Sequence, residues 1–455
     1  MSSTSITRTS IIIAAILLVV GILIGYVVSN FTATPVTRTQ IVTERVTEKV
    51  TVTVAGPQTT QATSPAVSTT PPSKVTIKIS IGWSGKEREP FDAAINAYLK
   101  EHPEVSIEYV VLRAEDLAAI LPAQLEAGKY PAEIMITPWS WFIIELAKKG
   151  HLEDLSNYIP VGEFLPSYVN LVTYNEKVYG VPIGLYFKEL YWYRKSVFQQ
   201  YGLSKPKTWD EFVSLLDQLK NKLGPKKAII VGDGVGWPAS DIVESFILAF
   251  GGAELHEALT KGKVKFNDPQ VQAIFRDRLV PLIKAGYFSE PVEWTSAKEY
   301  WWAGQYGIYP LGSFLQPMLD NPDDADFFTL PGKSDMIGNV DFMFVPKYLP
   351  SDIKPIVMDL LRFLATKGQE IMSSYPAGRV PTWIKADPNK VHPVFRDLFK
   401  LAASGQIKFV PDMDDTVGGD WQRLFWDYCK LLFTNPDIWQ EMLNVLTQQH
   451  PATKG

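Results

Sequence analysis

The segment Ile136–Phe142 (ITPWSWF) places two tryptophans, Trp139 and Trp141, directly after a short apolar run. The run Ala132–Ile136 predicts a buried strand, and residues 142–149 predict a helix. The pair therefore lies at the carboxyl end of a strand, where open α/β sheets bind ligands. Indole rings at such a place either pack in the core or offer a stacking surface to a molecule that binds reversibly.

Motifs for nucleotide or acyl chemistry are incomplete in this sequence. Gly332-Lys333-Ser334 matches only the end of a P-loop, because Phe327 stands where the first glycine is required. Gly232–Gly236 (GDGVG) has the wrong spacing for a dinucleotide fingerprint and indicates a turn. Gly82–Lys86 (GWSGK) lacks the last glycine of a nucleophile elbow. The paired carboxylates of a glycoside hydrolase have no local signature, so that class of enzyme stays an alternative.

The sequence predicts no metal site, no cofactor and no catalytic residues. The five histidines show no pair at ligand spacing. Cys429 is the only cysteine, which excludes an intrachain disulfide and a cysteine-rich metal site. The acidic segment Pro411–Asp415 (PDMDD) offers oxygens to Ca²⁺, but it lacks a helix-flanked ligand series. The net charge of −5, without a basic stripe, argues against nucleic acid as a partner.

The N-terminal region differs in composition from the rest of the chain. Ile11–Val28 is uncharged and would span roughly 27 Å as a helix, enough to cross a bilayer. We therefore predict one transmembrane anchor over residues 9–30, and Arg8 favours a cytoplasmic N-terminus. A cleaved signal peptide is the alternative. Residues 31–74, rich in Thr, Ser and Pro, predict an extended stalk.

Strand and helix patterns alternate after the stalk. Val75–Trp83 predicts a strand, and a capping box at Ser84–Glu87 predicts the start of a helix. Two further units follow, with strands at Val105–Leu112 and Ala132–Ile136. Three consecutive βα units imply an α/β fold with a mostly parallel sheet covered by helices on both faces.

The middle and end of the chain repeat this pattern less regularly. A second capping box at Thr208–Glu211 begins a helix, Lys226–Asp233 predicts a strand, and Asp241–Phe250 predicts another helix. The last third of the chain predicts helices near residues 355–373, 394–403, 421–433 and 439–448.

These elements together resemble the extracellular solute-binding proteins of ABC importers, in particular the carbohydrate-binding family typified by maltose-binding protein. The resemblance covers roughly residues 75–446. It rests on ISIGWSGKE, on AEIMITPWSWFIIELAKKGHLEDLSNYI and, most specifically, on GVPIGLYFKELYWYRKSVFQQYGLSKPKTWDEF. Further along, YGIYPLGSF, VDFMFVPKYLP and YPAGRVPTW resemble later strands and crossings of the family.

The resemblance implies an α/β, two-lobed periplasmic-binding-protein-like fold of type II. Its lobes would be joined by hinge crossings and preceded by the transmembrane helix and the stalk. We expect residues 75–184 and 341–376 to form the N-lobe, and residues 185–340 and 377–455 to form the C-lobe.

The resemblance also implies binding and delivery rather than catalysis. We expect a monomer held in the cell membrane by a single pass, with its globular part extracellular, as in archaeal binding proteins of this family. It would capture a sugar or oligosaccharide for a permease and an ATPase on other chains, and the tether would keep it near them. The alternatives are a membrane-anchored glycoside hydrolase and a binding protein for peptides or amino acids.

A sugar site stacks aromatic rings on C–H faces and meets the hydroxyls with charged and amide side chains. The aromatic candidates lie at strand ends and crossings, and core packing is their alternative role: Trp83, Trp139, Trp141, Tyr186, Trp237, Phe314 and Trp421. The polar candidates, which could instead be solvated or capping charges, are Lys86, Glu87, Glu189, Asp241, Arg379 and Asp420. Glu87 is also explained as the capping-box partner of Ser84. Of the tryptophan pair, we expect Trp139 to face ligand and Trp141 to pack within its lobe.

Overall fold

The structure is a computed structural model that describes residues 74–453, apart from positions 189, 235, 377 and 405. The predicted anchor at 9–30 and all but the last residue of the predicted stalk lie outside the described residues, as does the candidate Glu189. In the part of the chain that is described, no helix is long and apolar enough to cross a membrane.

The strands of the described chain fall into one large sheet and three small ones. In chain order they are β1 (Val75–Ile81), β2 (Val105–Val111), β3 (Ile134–Thr137), β4 (Thr173–Tyr174), β5 (Lys177–Val178), β6 (Val181–Phe187), β7 (Tyr191–Arg194), β8 (Gly232–Asp233), β9 (Val292–Glu293), β10 (Ile308–Pro310), β11 (Ala325–Phe328), β12 (Met336–Phe344) and β13 (Phe409–Pro411).

Helices follow or connect most of these strands. They are α1 (Glu89–Glu101), α2 (Ala114–Glu126), α3 (Ser140–Lys148), α4 (Pro166–Val169), α5 (Lys195–Tyr201), α6 (Trp209–Leu223), α7 (Trp237–Thr260), α8 (Pro269–Ile274), α9 (Val280–Lys284), α10 (Trp294–Trp302), α11 (Lys354–Phe363), α12 (Gln369–Ser373), α13 (Pro393–Ser404), α14 (Met413–Val417), α15 (Gly419–Thr434) and α16 (Trp439–Gln449).

The large sheet runs in the order β13-β12-β3-β1-β2, and β6 pairs with β12. Strand β1 is parallel to β2 and β3, which confirms the predicted βα units. Strand β12 is parallel to β13 but antiparallel to β3 and β6, so the sheet is mixed. Every residue of β3 and β12 is buried, as expected for strands covered on both faces.

A second sheet has the order β10-β7-β11 and is entirely antiparallel. Its central strand β7 carries Tyr191 and Tyr193 into a core built with α6 and α7. This core is distinct from the two apolar clusters that pack against the large sheet. Strands β6 and β7 follow each other in the chain but belong to different sheets.

The predicted capping box at Ser84 is wrong. Residues Gly85–Glu87 form a single 3₁₀ turn, the Ser84 side chain makes no capping hydrogen bond, and α1 begins only at Glu89. Gly85 adopts φ +53°, which is incompatible with a right-handed helix, and Pro90 favours a helix start one residue before it. Glu87 therefore does not cap α1.

The helix start predicted at Thr208 is confirmed, because the backbone N–H of Glu211 donates to Thr208 Oγ1 at 3.2 Å at the start of α6. The Glu211 carboxylate accepts from the backbone N–H of Lys207 rather than from that of Thr208. The predicted strand Lys226–Asp233 is mostly irregular, with only its last two residues in β8. The helix predicted over Asp241–Phe250 is the centre of the longer α7, which Gly252 interrupts at φ +81°.

Replacement of Gly338 by alanine tests the packing of β12. A Cβ atom there would lie 2.4 Å from Tyr168 Oη and 2.7 Å from Leu185 Cδ1. Overpacking of this kind costs about 1–3 kcal/mol, and we expect urea unfolding of Gly338→Ala to show that loss. At Gly162 an added Cβ meets nothing within 4 Å, so Gly162→Ala is the control and should remain near wild type. Equal stabilities of the two variants would contradict the packing described.

Candidate functional site

A cavity of about 210 Å³ lies at the carboxyl ends of β1 and β3. Gly82 and Trp83 follow β1, and Pro138 and Trp139 follow β3. Because these two strands are parallel neighbours, the segments after them meet at one edge of the large sheet. Further lining residues come from the segments after β6 and β10, from four helices (α7, α10, α14 and α15) and from the segment after α12: Lys188, Trp237, Trp294, Phe314, Arg379, Asp415 and Trp426.

Seven of the eighteen residues that line the cavity are aromatic. The rings that line it are Trp83, Trp139, Tyr186, Trp237, Trp294, Phe314 and Trp426. Phe314 packs edge-to-face on Tyr186 at 5.6 Å and on Trp237 at 5.7 Å between ring centroids. Such contacts fix the orientation of each ring. The cavity therefore has rigid apolar surfaces that face inward from several directions.

Arg379 carries the central positive charge of the cavity and is 95% buried. Its guanidinium lies 4.3 Å above the ring of Trp83 and 5.5 Å above that of Tyr186. Its nitrogens lie 3.6 Å from Glu87 Oε1 and 3.5 Å from Asp341 Oδ2. Buried charges require such partners, because desolvation of an unpaired ion costs several kcal/mol.

Backbone pairing holds Arg379 in this position. The next residue, Val380, exchanges two backbone hydrogen bonds with Leu185 of β6, at 2.7 and 2.8 Å. The preceding residue, Gly378, has φ +66°, and a Cβ there would lie 2.1 Å from the carbonyl oxygen of Ser313. A glycine is therefore required for the chain to approach the turn after β10 so closely.

Burial changes the acidity of the carboxyl groups around Arg379. It raises the pKa of Glu87, although the neighbouring guanidinium lowers it in part. Burial also raises the pKa of Asp341 to about 6, again against the effect of Arg379. These two groups therefore take up protons more readily than exposed carboxyl groups do.

Lys188 supplies a second buried cation in the cavity lining. Its Nζ lies 3.2 Å from Asp241 Oδ1 and 3.2 Å from Asp412 Oδ2, and 4.8 Å from the ring centroid of Trp237. Burial opposes the charged form, but the two carboxylates hold the pKa of Lys188 above its usual value. The cation is therefore paired by groups of the protein itself.

Asp415 adds another buried carboxyl group to the cavity lining. Its oxygens accept hydrogen bonds from the side-chain amides of Gln422, at 2.8 Å, and of Asn339. Burial raises the pKa of Asp415 to about 7. The cavity thus combines ring faces with buried carboxyl groups and two internally paired cations, a lining suited to a ligand with both apolar faces and hydroxyl edges.

Seven of the twelve candidate residues that the structure describes line this cavity, and they come from segments far apart in the chain. They are Trp83, Glu87, Trp139, Tyr186, Trp237, Phe314 and Arg379. Asp241 does not reach the cavity, but it holds Lys188, which does. Lys86 lies at the surface and pairs with Asp320 at 3.0 Å.

The other three predicted residues lie elsewhere. Trp141 stacks on Trp139 with 5.7 Å between ring centroids and packs on Gly418, beside a separate cavity. Asp420 is exposed in the first turn of α15. Trp421 is 98% buried because it stacks on Phe425 at 5.1 Å, and its indole N–H donates to the Leu446 carbonyl at 3.1 Å. Trp421 is thus placed in the core rather than at the cavity.

Seven charged or aromatic lining residues were not predicted from the sequence. Two of them, Arg113 and Glu115, follow β2 and could have been found by the rule that selected the residues after β1 and β3. Trp426 lies in the interior of α15, where one face of the helix gives no signal that distinguishes core from ligand. The remaining four are Lys188, Trp294, Asp341 and Asp415.

Asp341 predicts a pH dependence of folding stability. Its pKa is about 6 in the folded protein, above ~3.9 in an unfolded chain. The folded state therefore binds the proton of Asp341 more tightly than the unfolded chain does. The stabilisation of the folded state by this proton is complete below pH ~4 and is lost as the pH rises through 6. We expect the unfolding free energy of wild type relative to Asp341→Asn to fall by up to about 3 kcal/mol between pH 4 and 7 in urea unfolding. A difference that does not change with pH would contradict the shifted acidity.

Comparison with known proteins gives matches over most of the globular chain. Residues 82–371 match the model of the family described as bacterial extracellular solute-binding protein. An ABC transporter extracellular-binding protein of Pyrococcus horikoshii is 44% identical over 394 residues, which are 86% of this chain and 93% of that protein.

Solved structures show the same fold. A chitin oligosaccharide binding protein superposes with a TM-score of 0.69 at 22% identity, covering 84% of this chain and 100% of the other. Maltose-bound MalE3 of T. maritima gives a TM-score of 0.64 at 19% identity, covering 82% of this chain and 98% of the other. At these identities the likeness concerns the fold alone. It confirms a mixed α/β fold that matches the two-lobed sugar-binding proteins.

The family match spans well over half of the chain, and the archaeal relative is similar along almost its whole length. The family is one of binding proteins, which confirms the prediction that the chain is not an enzyme. It is also the family that the sequence motifs resemble. The chain belongs to the bacterial extracellular solute-binding proteins.

Proposed function

We propose that this protein is the extracellular substrate-binding component of an ABC transporter and that it captures a sugar or oligosaccharide in the cavity described above. The observation that carries the proposal is the wall of seven aromatic rings interrupted by buried carboxyl groups and two paired cations. Flat ring faces complement the C–H faces of a pyranose, and the charged groups complement its hydroxyls.

The internal pairing of charges favours a neutral ligand. Arg379 is balanced by Glu87 and Asp341, and Lys188 by Asp241 and Asp412. A charged amino acid or peptide terminus would have to displace one of these partners and leave it buried without its counter-charge. A hydroxyl instead accepts from a cation and donates to a carboxylate without disrupting either pair.

The names of structural relatives point in the same direction. The two solved structures described above are a chitin oligosaccharide binding protein and a maltose-bound protein. Both share the fold of this chain at low identity, so they support a carbohydrate as the ligand class without indicating which sugar.

We further propose that the two lobes predicted from the sequence close over the ligand by a hinge. Two irregularities coincide with the proposed lobe boundaries at 184/185 and 340/341. Gly184 has φ +71° in β6, and the pairing of β12 with β6 shifts register between Val340 and Asp341. Both features bend the strands that would cross between the lobes.

The apolar segment Ile11–Val28 supports a single-pass anchor that would hold the globular part outside the cell membrane. The Thr-, Ser- and Pro-rich segment after it would act as a tether. In this arrangement a monomeric binding protein stays at high effective concentration near its partners, a membrane permease and an ATPase encoded on other chains.

A ligand screen tests the proposed function. We expect the melting temperature of the full-length protein to rise with at least one member of a panel of mono- and oligosaccharides, because a ligand of the folded state stabilises it. Peptides and amino acids form the comparison panel. A rise with peptides and none with any sugar would contradict the carbohydrate proposal.

The tryptophan pair gives a sharper test once a binding saccharide is found. Trp139 lines the cavity, so Trp139→Ala should weaken affinity at least about tenfold, equivalent to ~1.4 kcal/mol, in isothermal titration calorimetry. Trp141 packs on Gly418 away from the cavity, so Trp141→Ala should leave affinity near wild type and lower stability by up to about 3 kcal/mol. Equal effects of the two variants on affinity would rule out this division of roles.

A further inference from the structure

An excess of buried carboxyl groups lies behind the cavity wall that carries Lys188. The groups are Asp241 and Glu244 of α7 and Asp412, Asp414 and Asp415 at the start of α14, and each is at least 93% buried. Lys188 is the cation paired with two of them. Anionic groups at such a density require either protons or a further cation, because buried charges without compensation cost several kcal/mol each.

Three of these side chains converge on one point. Glu244, Asp412 and Asp414 each offer a carboxylate oxygen, and the three oxygens lie within 4.8 Å of one another. Two oxygens bound to one Ca²⁺ at 2.3–2.6 Å can be at most about 5 Å apart, so the three can share one such ion. Glu244 comes from a different part of the chain than the other two.

The hydrogen bonds of Glu244 give an independent indication of a missing ligand. Its Oε2 accepts from the backbone N–H of Met413 at 3.0 Å and lies 2.8 Å from His256 Nε2. Its Oε1 is buried and has no hydrogen-bond partner within the described structure. Asp412 Oδ2 makes no hydrogen bond either, but it lies 3.2 Å from Lys188 Nζ and is paired with that cation. Buried carboxylate oxygens are almost always satisfied, so the orphaned Oε1 atom of Glu244 calls for an occupant.

The neighbouring histidine does not reach the orphaned oxygen. His256 Nε2 lies 2.8 Å from the other carboxylate oxygen of Glu244, Oε2. Lys188 contacts Asp412 and Asp241 but forms no ion pair with Glu244 or Asp414 among the described contacts. Glu244 and Asp414 are therefore the two carboxyl groups of the cluster that Lys188 does not pair with.

We propose that Glu244, Asp412 and Asp414 bind one hard divalent cation, with Ca²⁺ the best fit to an all-oxygen ligand set. The sequence analysis predicted no metal because the segment Pro411–Asp415 lacks a local ligand series. In the folded chain, α7 supplies the missing carboxylate to that segment.

The cation would stabilise one wall of the cavity. The indole N–H of Trp426 donates to Asp414 Oδ2 at 2.8 Å, and Asp415 is the next residue along α14. Both Trp426 and Asp415 line the cavity. A bound ion that joins α14 to α7 therefore fixes the position of two residues that face the ligand.

Metal analysis of the full-length protein tests this proposal without any sugar, so its outcome is independent of the proposed function. The protein is stripped with EDTA, dialysed against buffer containing micromolar CaCl₂, and analysed by inductively coupled plasma mass spectrometry. We expect about one Ca²⁺ per chain, and a melting temperature that rises with CaCl₂ and falls again with EDTA. No retained Ca²⁺ and no change of melting temperature would overturn the proposal and assign a proton, rather than a metal ion, to the orphaned oxygen of Glu244.

A pair of variants on α7 locates the ion. Glu244→Gln keeps the shape of the side chain and removes its charge, so it should weaken Ca²⁺ binding at least about tenfold. Glu257→Gln is the matched control, because Glu257 lies on the same helix but pairs with Lys261 and Lys408 at its surface. Calcium affinity that is unchanged in Glu244→Gln would overturn the assignment. If that variant does not fold, the calcium and EDTA response of the wild-type protein decides.

Discussion

The buried guanidinium of Arg379 is the constraint around which the cavity is organised. It must be paired, and its partners Glu87 and Asp341 come from the turn after β1 and from β12. It also covers the rings of Trp83 and Tyr186. One side chain thus contacts the turn after β1, strand β6 and strand β12, and fixes their relative positions. The next residue, Val380, is itself hydrogen-bonded to β6 through the backbone. The loss of the guanidinium would leave two buried carboxylates without a counter-ion.

Local patterns in the sequence were sufficient to predict the regular part of the fold. The three βα units, the helix capped by Thr208 and the four C-terminal helical regions all form close to their predicted bounds. The capping box at Ser84 failed because a glycine with positive φ and a proline move the helix start to Glu89. The antiparallel placement of β12 could not be predicted, since strand direction depends on contacts between residues that are distant in sequence.

The residues of the candidate site could likewise be predicted only in part. Aromatic residues directly after strands could be predicted, because parallel strands bring their carboxyl ends to one edge and large rings are conspicuous there. Several charged residues of the lining could not, among them Lys188, Asp341 and Asp415. Lys188 is recognisable only through Asp241 and Asp412, and Glu244 only through its approach to Asp412 and Asp414. Trp421 misled the prediction because a tryptophan at a helix start has the same local sequence whether it packs inward or faces a ligand.

The central claim is that one cavity, walled by aromatic rings and organised by Arg379, binds a carbohydrate. The most direct measurement is a crystal structure of the protein with a saccharide that raises its melting temperature. The account predicts electron density for a sugar ring stacked against at least one of Trp83, Trp139 and Trp237, with its hydroxyls within hydrogen-bond distance of Arg379 or Asp415. Density for the saccharide at another place, with this cavity free of it, would contradict the account.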